Sequence, residues 1–404
     1  MKQQSCQLLV IGGGVAGACA AIAAARCGVQ VTLVERQGYL GGSGYSGMFQ
    51  YVCGLYLNGD SFPAETLNGG ITRELVELLK RRAPGKPVQK IGQVYVLPYT
   101  ATDLHDVLKD LLEAESEVTV RYNTSATGVV VQHGSIRSVD VEVSGVMHRI
   151  ATDMVVDCTG NGDVAVMAGA ESELSPLIER QLAGFSVQLS GLKGGDDTLS
   201  IKVPYFCSQA VNSSLLPPVV RFTTFIYGGN PGTGFIKMCL DGEDSSGRDE
   251  CALENAHALL DYLRQVLPSF MDARITGTSI KVLDREGRRI IGDYILTEED
   301  ILMARRFPDA VAKNAWPIEL WDRMKGTIYK YVPQGDYYEI PFRCLTVKGI
   351  INLLTAGRCI SVSRTALGST RVMGTCMALG EQAGRAGAYF VNHRTFPGIL
   401  LRSP

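Results

Sequence analysis

The glycines near the N-terminus have the spacing with which proteins bind dinucleotides. Gly12, Gly14 and Gly17 follow the pattern G-x-G-x-x-G between an apolar run and an alanine-rich stretch. Gly12 allows a tight turn, Gly14 lets a pyrophosphate approach the backbone, and Gly17 lets a helix pack close to a strand. The amides at the start of that helix, which include those of Val15 and Ala16, would face the two phosphates.

The elements around these glycines complete the pattern. Residues 7–11 predict a buried strand, residues 18–27 a helix, and residues 29–34 a second strand. The second strand ends in Glu35, about 20 residues after Gly12, where a carboxylate can accept hydrogen bonds from a ribose diol. An acid at this position disfavours a 2′-phosphate, so we expect FAD or NAD rather than NADP.

The residues after Glu35 favour FAD through a resemblance. Residues 36–44 read R-Q-G-Y-L-G-G-S-G and resemble the segment that follows the ribose acid in the glutathione-reductase-like FAD superfamily. The resemblance implies that the backbone at Gly41 and Gly42 runs beside the ribityl chain and the flavin ring. It also assigns Arg36 and Ser43 to the cofactor site, Ser43 as a polar contact.

A second segment resembles the part of such proteins that closes over the adenine side of FAD. Residues 154–163 read M-V-V-D-C-T-G-N-G-D, a hydrophobic strand followed by a loop. Thr159 and Gly160 match the usual pattern, while Cys158 stands in place of the usual alanine. On the residue pattern alone, the segment predicts only a strand that turns into a loop.

A third segment predicts a strand, a polar loop and a helix of small residues. The strand is expected at residues 351–355, and the helix at residues 372–391. The loop places a helix N-terminus where it can stabilise negative charge on a reduced flavin. The alternative is a helix that only packs closely on the sheet. The cofactor-binding candidates in this segment are Gly357, Arg358, Arg371 and Val372.

Together with residues 285–300, these segments resemble a bacterial family of FAD-dependent oxidoreductases near the succinate dehydrogenase and fumarate reductase flavoproteins. The resemblance implies FAD as the cofactor and leaves the substrate open. The succinate dehydrogenase flavoproteins carry a histidine after the Gly-Gly pair that bonds covalently to the flavin. Here Ser43, Gly44 and Tyr45 follow that pair. We therefore expect FAD to be held non-covalently.

Composition restricts the class of partner. The chain has 39 Lys+Arg and 41 Asp+Glu with no basic block, which argues against nucleic acid, including the tRNA that some flavoproteins of this fold class modify. The 11 cysteines form no C-x-x-C pair and there are only 5 histidines, so we expect free thiols, a cytoplasmic location and no metal. No run approaches about 18 unbroken apolar residues, and a membrane span is not expected. A homo-oligomer stays open.

The predicted fold class is α/β, with a Rossmann-type FAD-binding domain formed by residues 1–170 and 341–404. Residues 171–340 lack a second dinucleotide fingerprint and are expected to form an inserted α+β domain that caps the flavin and binds substrate. Short alternating strands predict a small meander over residues 119–150. Residues 241–250 are polar and charged and predict a solvated loop.

Several arginines and tyrosines are candidates for the substrate site. Arg289 and Arg371 are the preferred clamp for a substrate carboxylate, because each lies in a segment with family resemblance. Tyr294 is the candidate for the base that takes the proton lost with the hydride. For each arginine, the alternative is a structural or surface ion pair. The remaining candidates are Arg285, Arg288, Arg343, Arg364, Tyr337 and Tyr338.

These features predict a dehydrogenase that transfers a hydride from a small anionic substrate to flavin N5 and passes the electrons to an unknown acceptor. A flavin monooxygenase or oxidase is the alternative within redox chemistry. A flavin-binding subunit that relays electrons without a substrate of its own is a third possibility. Such a subunit would lack an open substrate cavity and would expose an apolar patch.

Overall fold

The computed structural model describes residues 2–241 and 247–397. In these ranges the strands are β1 (Lys2–Ile11), β2 (Val31–Val34), β3 (Tyr51–Val52), β4 (Gln89–Ile91), β5 (Val94–Pro98), β6 (Val118–Arg121), β7 (Thr124–Gln132), β8 (Ser135–Val143), β9 (Val146–Asp157), β10 (Ser172–Glu173), β11 (Ala183–Ser190), β12 (Thr224–Tyr227), β13 (Gly234–Leu240), β14 (Arg274–Thr278), β15 (Arg289–Ile290), β16 (Ala310–Asn314), β17 (Ile318–Asp322), β18 (Gly326–Lys330), β19 (Tyr338–Pro341), β20 (Thr346–Val347) and β21 (Ile350–Thr355). The helices are α1 (Val15–Arg26), α2 (Ser43–Ser46), α3 (Gly70–Arg82), α4 (Ala101–Glu113), α5 (Asp163–Met167), α6 (Leu199–Asn212), α7 (Arg248–Val266), α8 (Glu298–Leu302), α9 (Arg364–Thr370) and α10 (Met373–His393).

The largest sheet has the strand order β20-β21-β9-β1-β2-β6. Strands β21, β9, β1, β2 and β6 are parallel, and β20 is antiparallel to β21. The predicted meander is confirmed only in part, because its first strand, β6, pairs in parallel with β2 after the crossover through α4. Strands β7, β8 and β9 form the antiparallel meander. A parallel sheet with helical crossovers is the Rossmann-type arrangement that the sequence predicts.

Strand β1 is buried on both faces, as expected for the centre of such a sheet. Leu8 and Val10 belong to the core that includes α1 and α10, whereas Leu9 and Ile11 belong to the core under the meander. The alternation follows from the two-residue period of a strand.

Helices α1 and α10 touch through their backbones. A side chain at Gly380 would lie 2.0 Å from the carbonyl oxygen of Ala16, and one at Gly384 would lie 2.1 Å from that of Ala20. Contacts that advance by four residues on both helices show that the helices run in the same direction. The N-termini of α1 and α10 therefore lie at the same end.

A second lobe, which we call the capping lobe, has its own core. Its antiparallel sheet has the order β12-β13-β11-β14 and packs with helices α6 and α7. The residues of this core lie between 183 and 282, whereas Leu296, Ile301, Tyr338 and Ile340 pack in the core of the FAD lobe. The predicted domain limits at 171 and 340 stay a prediction.

The polar run at residues 241–250, predicted as a solvated loop, is described only at its two ends. Residues 242–246 lie outside the described ranges, but α7 begins at Arg248. The Asp249 carboxylate accepts a hydrogen bond of 2.6 Å from the amide of Val282, which fixes the start of the helix on the following segment of the lobe. None of the described helices is long and apolar enough to cross a membrane.

Candidate active site

A cavity of about 1020 Å³ lies between the FAD lobe and the capping lobe. All but one of the residues predicted to bind the cofactor line it, and the exception, Gly17, packs inside the FAD lobe. The predicted residues that line the cavity are Gly12, Gly14, Val15, Ala16, Glu35, Arg36, Gly41, Gly42, Ser43, Thr159, Gly160, Gly357, Arg358, Arg371 and Val372.

The three fingerprint glycines are required for different reasons. Gly12 has φ +105°, and a side chain there would lie 2.4 Å from the carbonyl oxygen of Cys158. A side chain at Gly17 would lie 1.7 Å from the carbonyl oxygen of Gly12. Gly14, in contrast, has an ordinary φ of −66°, and a side chain there would meet no atom within 4 Å. Protein packing does not explain Gly14, so the space before it fits a ligand that approaches the backbone.

The residues next to Gly14 offer the groups that a diphosphate and a ribose need. Val15 is the first residue of α1, and the first amides of a helix have no carbonyl partner within it. The buried Glu35 accepts hydrogen bonds from the amides of Gly13 at 2.5 Å and Gln37 at 2.7 Å. An ionised carboxylate has about four acceptor positions, so Glu35 can also accept from a ribose hydroxyl.

The second glycine pair is held against the first. The amide of Gly41 donates to the carbonyl of Gly13 at 2.9 Å, and Gly42 adopts φ +53° and ψ −124°. A side chain at Gly42 would lie 3.1 Å from the Cα atom of Gly14. The hydroxyl of Tyr99 donates to the carbonyl of Gly44 at 2.6 Å and fixes the turn that follows. These contacts keep the backbone, rather than side chains, at this wall of the cavity.

The N-terminus of α10 forms another part of the wall. Val372, Met373 and Cys376 line the cavity, and the amide of Gly374 donates to the carbonyl of Cys53 at 2.9 Å. The helix has 21 residues, so its N-terminus carries a partial positive charge that can stabilise an anionic flavin edge.

Arg358 connects the loop after β9 to the capping lobe. Its guanidinium donates to the carbonyl of Gly160 at 2.9 Å, to Oδ1 of Asn161 at 2.7 Å and to the carbonyl of Asp284. Burial lowers the pKa of Arg358 from its usual value. These contacts assign Arg358 to holding the cavity wall together.

Arg289 and Tyr294 require a correction, because neither lines the cavity. The buried Arg289 guanidinium lies 3.3 Å from the carboxylate of Glu286 and 3.4 Å from that of Glu173. Tyr294 donates to Asp300 at 2.9 Å. The structure therefore does not bring Arg289 and Arg371 together as a clamp, and Arg289 fits the structural ion pair that was its alternative.

Most of the remaining candidates are also structural. Arg288 pairs with Asp163, Arg343 with Asp309 and Arg364 with Glu286. The buried Tyr338 hydroxyl shares hydrogen bonds with Asn314 and Ser369, and the Tyr337 ring lies 3.7 Å from the guanidinium carbon of Arg306. Of the arginines and tyrosines considered for the substrate site, Arg285 and Arg371 line the cavity.

The sequence analysis missed the groups that surround these two arginines. Lys237 on β13 and Glu319 and Trp321 on β17 line the cavity. The guanidinium carbon of Arg285 lies 3.9 Å from the centre of the Trp321 ring, and the Lys237 ammonium lies 4.9 Å from it. Arg371 donates to the carbonyl of Glu319 at 3.2 Å. We call Lys237, Arg285, Glu319, Trp321 and Arg371 the charged cluster.

Electrostatics within the charged cluster favour an anion. Three formal positive charges face the single carboxylate of Glu319. Burial lowers the pKa of Arg371 to about 10 and lowers that of Lys237. Burial acts to raise the pKa of Glu319, but the charges of Arg371, Lys237 and Arg285 outweigh it and hold that pKa below its usual value. Glu319 is therefore ionised at neutral pH, and the cluster keeps an excess of positive charge.

Cys53 lines the cavity beside the charged cluster. Burial raises the pKa of its thiol to about 12, and the charge of Glu319 adds to the shift. The thiol is therefore protonated at neutral pH, and a protonated thiol is a poor nucleophile.

The Rossmann-type sheet, the glycine pairs and the cavity between two lobes define a dinucleotide-binding oxidoreductase. Residues 7–400 match the family model described as FAD dependent oxidoreductase, and the chain belongs to this family. Its cofactor is FAD. No curated protein sequence matches the chain significantly.

Solved structures with the same fold are distant in sequence. BexE, studied for oxidation during BE-7585A biosynthesis, has 15% identity and a TM-score of 0.53 over 96% of this chain and 63% of its own. The anhydrotetracycline hydroxylase OxyS from Streptomyces rimosus has 12% identity and a TM-score of 0.50 over 96% and 63% of the two chains. The flavin-dependent brominase Bmp2 has 14% identity and a TM-score of 0.50 over 98% and 81%. This chain thus spans 63% of the length of BexE and OxyS.

Proposed function

We propose that this protein is an FAD-dependent oxidoreductase that oxidises a small anionic organic molecule bound at the charged cluster. Bound FAD supplies the two-electron acceptor for that oxidation. The observation that carries the proposal is the charge of the cluster, where Lys237, Arg285 and Arg371 face the carboxylate of Glu319.

Two unsatisfied donors support an anion at this place. Nη2 of Arg285 and Nε of Arg371 are buried and have no hydrogen-bond partner among the described residues. A buried donor without a partner costs about 1–3 kcal/mol, and more when it is charged. A carboxylate or phosphate of the substrate would remove that cost and would be oriented by the rigid guanidinium planes.

The other members of the cluster would shape the orientation of the substrate. The indole N–H of Trp321 donates to Glu319 at 3.1 Å, and the hydroxyl of Tyr329 donates to the same oxygen at 3.3 Å. The ionised Glu319 keeps acceptor positions for an O–H or N–H of the substrate. Arg285 packs against the Trp321 ring, and this contact holds the arginine in a fixed position.

A flavin monooxygenase or oxidase is the second candidate. It is favoured by the names of the fold neighbours, which describe OxyS as a hydroxylase and Bmp2 as a brominase. The charged cluster is compatible with this chemistry, since an anionic substrate can be oxygenated as well as dehydrogenated. An electron-relay subunit is disfavoured, because the cavity lined by the FAD-binding residues extends to the charged cluster.

The two reactions differ in their need for oxygen. The purified yellow holoprotein is mixed without oxygen with a panel of small carboxylates, phosphates and neutral analogues. Bleaching of the flavin by an anionic compound supports the dehydrogenase. The monooxygenase is supported by a different pair of results. The flavin does not bleach without oxygen, and in air the substrate stimulates oxidation of a nicotinamide cofactor and gains an oxygen atom. Turnover of the neutral analogues as efficiently as the anions would overturn the anionic site.

A further inference from the structure

Residues 280–285 of the capping lobe, here called the crossing segment, run along the cofactor end of the cavity. The amide of Ile280 donates to the carbonyl of Ser46 at 2.9 Å, which joins the segment to α2 of the FAD lobe. At the other end, the carbonyl of Asp284 accepts a hydrogen bond from Arg358. The residues between these two attachments line the cavity together with Gly14 and Val15.

Lys281 is the cation of the crossing segment that faces the FAD lobe. The ammonium group has no carboxylate within 4.0 Å in the part of the chain that the structure describes. Burial lowers the pKa of Lys281, and the positive charges of Arg36 and Arg358 lower it further, while Glu35 and Asp249 act to raise it. Two cations and two carboxylates thus act on Lys281, but none of the described carboxylates forms a close ion pair that compensates its burial, so an anion in the cavity would stabilise the charged lysine.

The neighbours of Lys281 indicate which anion this is. Glu35 and Arg36 follow β2 at the predicted ribose site, and the hydrogen bond from the amide of Gly13 to Glu35 places them next to the start of α1, where the diphosphate is expected. Lys281 is not a member of the charged cluster, which forms the proposed substrate site. The anion that Lys281 binds is therefore a different one from the substrate anion. The diphosphate of FAD carries two negative charges and lies within the reach of a fingerprint helix.

We propose that Lys281 binds the phosphate groups of FAD from the capping lobe, so that the charge of the cofactor holds the crossing segment over its own site. The FAD site is then completed by both lobes, and retention of the cofactor depends on a residue outside the Rossmann fingerprint. This proposal rests on the FAD site and not on the choice of substrate, so it can fail without affecting the proposal of an anionic substrate, and the reverse also holds.

The test measures FAD release from full-length holoprotein. Lys281→Met, Lys281→Arg and the wild type are diluted, and the gain in flavin fluorescence is followed at about 0.05 M and about 0.5 M NaCl. Lys348→Met is the matched control, because Lys348 is exposed and outside the cavity. Hydrogen exchange of the crossing segment, with FAD bound, gives a second readout that does not depend on activity.

We expect Lys281→Met to release FAD about tenfold faster than the wild type at low salt, with a smaller acceleration by salt, and to exchange the crossing segment faster. Lys281→Arg should retain FAD like the wild type, and Lys348→Met should change neither readout. Release of FAD from Lys281→Met at the wild-type rate would overturn the proposal. The proposal would also be overturned if both Lys281→Met and Lys281→Arg released FAD faster than the wild type while the salt dependence stayed that of the wild type. That result would indicate lost packing.

Discussion

Nη2 of Arg371 donates to the backbone carbonyl of Glu319 at 3.2 Å, while the carboxylate of the same Glu319 lies 4.0 Å from Nη2. The guanidinium is therefore positioned by a peptide group, while the carboxylate faces it without a close hydrogen bond. Its Nε atom keeps a free donor among the described residues. This relationship leaves Arg371 with both charge and hydrogen-bonding capacity for a ligand.

Replacement of Arg371 by glutamine should weaken binding of an anionic substrate. We expect KM to rise about 30-fold or more, which corresponds to about 2 kcal/mol, because truncation removes one partner of a desolvated charge pair. Steady-state kinetics with the substrate found in the anaerobic panel measure this. The control is Arg73→Gln, since Arg73 pairs with Glu65 on the surface. An unchanged KM in Arg371→Gln would remove Arg371 from the substrate site.

Alanine at Gly14 should weaken FAD binding, whereas alanine at Gly17 should destabilise the fold. Gly14→Ala should leave the Tm of the cofactor-free protein within about 2 °C of the wild type, because the added methyl group meets no protein atom. It should raise the Kd for FAD about tenfold or more. Gly17→Ala should lower Tm or prevent folding, because its methyl group would collide with the carbonyl of Gly12. Thermal unfolding and FAD titration separate the two effects, and tight FAD binding by Gly14→Ala would show that FAD does not approach the backbone at Gly14.

Arg289 should matter for stability and not for catalysis. Arg289→Met leaves the Glu286 carboxylate, which is fully buried, without one of its partners. We expect the free energy of unfolding to fall by about 3 kcal/mol or more, with KM unchanged. Urea denaturation of Arg289→Met is compared with that of Arg343→Met, whose half-exposed pair with Asp309 should contribute about 1 kcal/mol or less. A large rise in KM for Arg289→Met would restore Arg289 to the substrate site.

Substrate affinity should fall as pH rises through the alkaline range. Lys237 binds an anion only when protonated, and burial together with Arg285 lowers its pKa, while Glu319 acts in the opposite direction. Affinity is therefore greatest below this lowered pKa and declines above it, at a lower pH than for an exposed lysine. In Lys237→Arg the decline should move to higher pH, because the ordinary pKa of arginine is higher than that of lysine. KM measured against pH for both proteins decides the point, and coincident profiles would exclude Lys237 as the titrating group.

The cofactor half of the site could be predicted from the sequence because its determinants are local. The turn at Gly12, the helix start at Val15 and the acid Glu35 lie within one strand, helix and strand unit, where spacing alone fixes their positions. The Gly41 and Gly42 pair follows in the same stretch of chain. The structure places all these residues around one cavity.

The substrate half could not be predicted, because distant segments assemble it. Lys237, Arg285, Glu319 and Arg371 come from four separate segments of the chain, and no short motif links them. Arg289 was preferred for the substrate site because it lies in a family-like segment, but such a segment does not reveal the partner of an arginine. In the structure its partner is Glu286, only three residues away. The start of α7 at the end of the polar run could not be predicted for a similar reason, since Asp249 is fixed by a contact with Val282 that local sequence does not encode.

The close packing of α1 on α10 has a consequence for biosynthesis. The carbonyls of Ala16 and Ala20 meet Gly380 and Gly384, so α1 leaves the ribosome long before the helix that covers it. Until residues 373–393 have emerged, the apolar surface of α1 lacks its cover and is open to chaperones or to aggregation. We therefore expect the nascent chain to acquire flavin only after α10 has been synthesised.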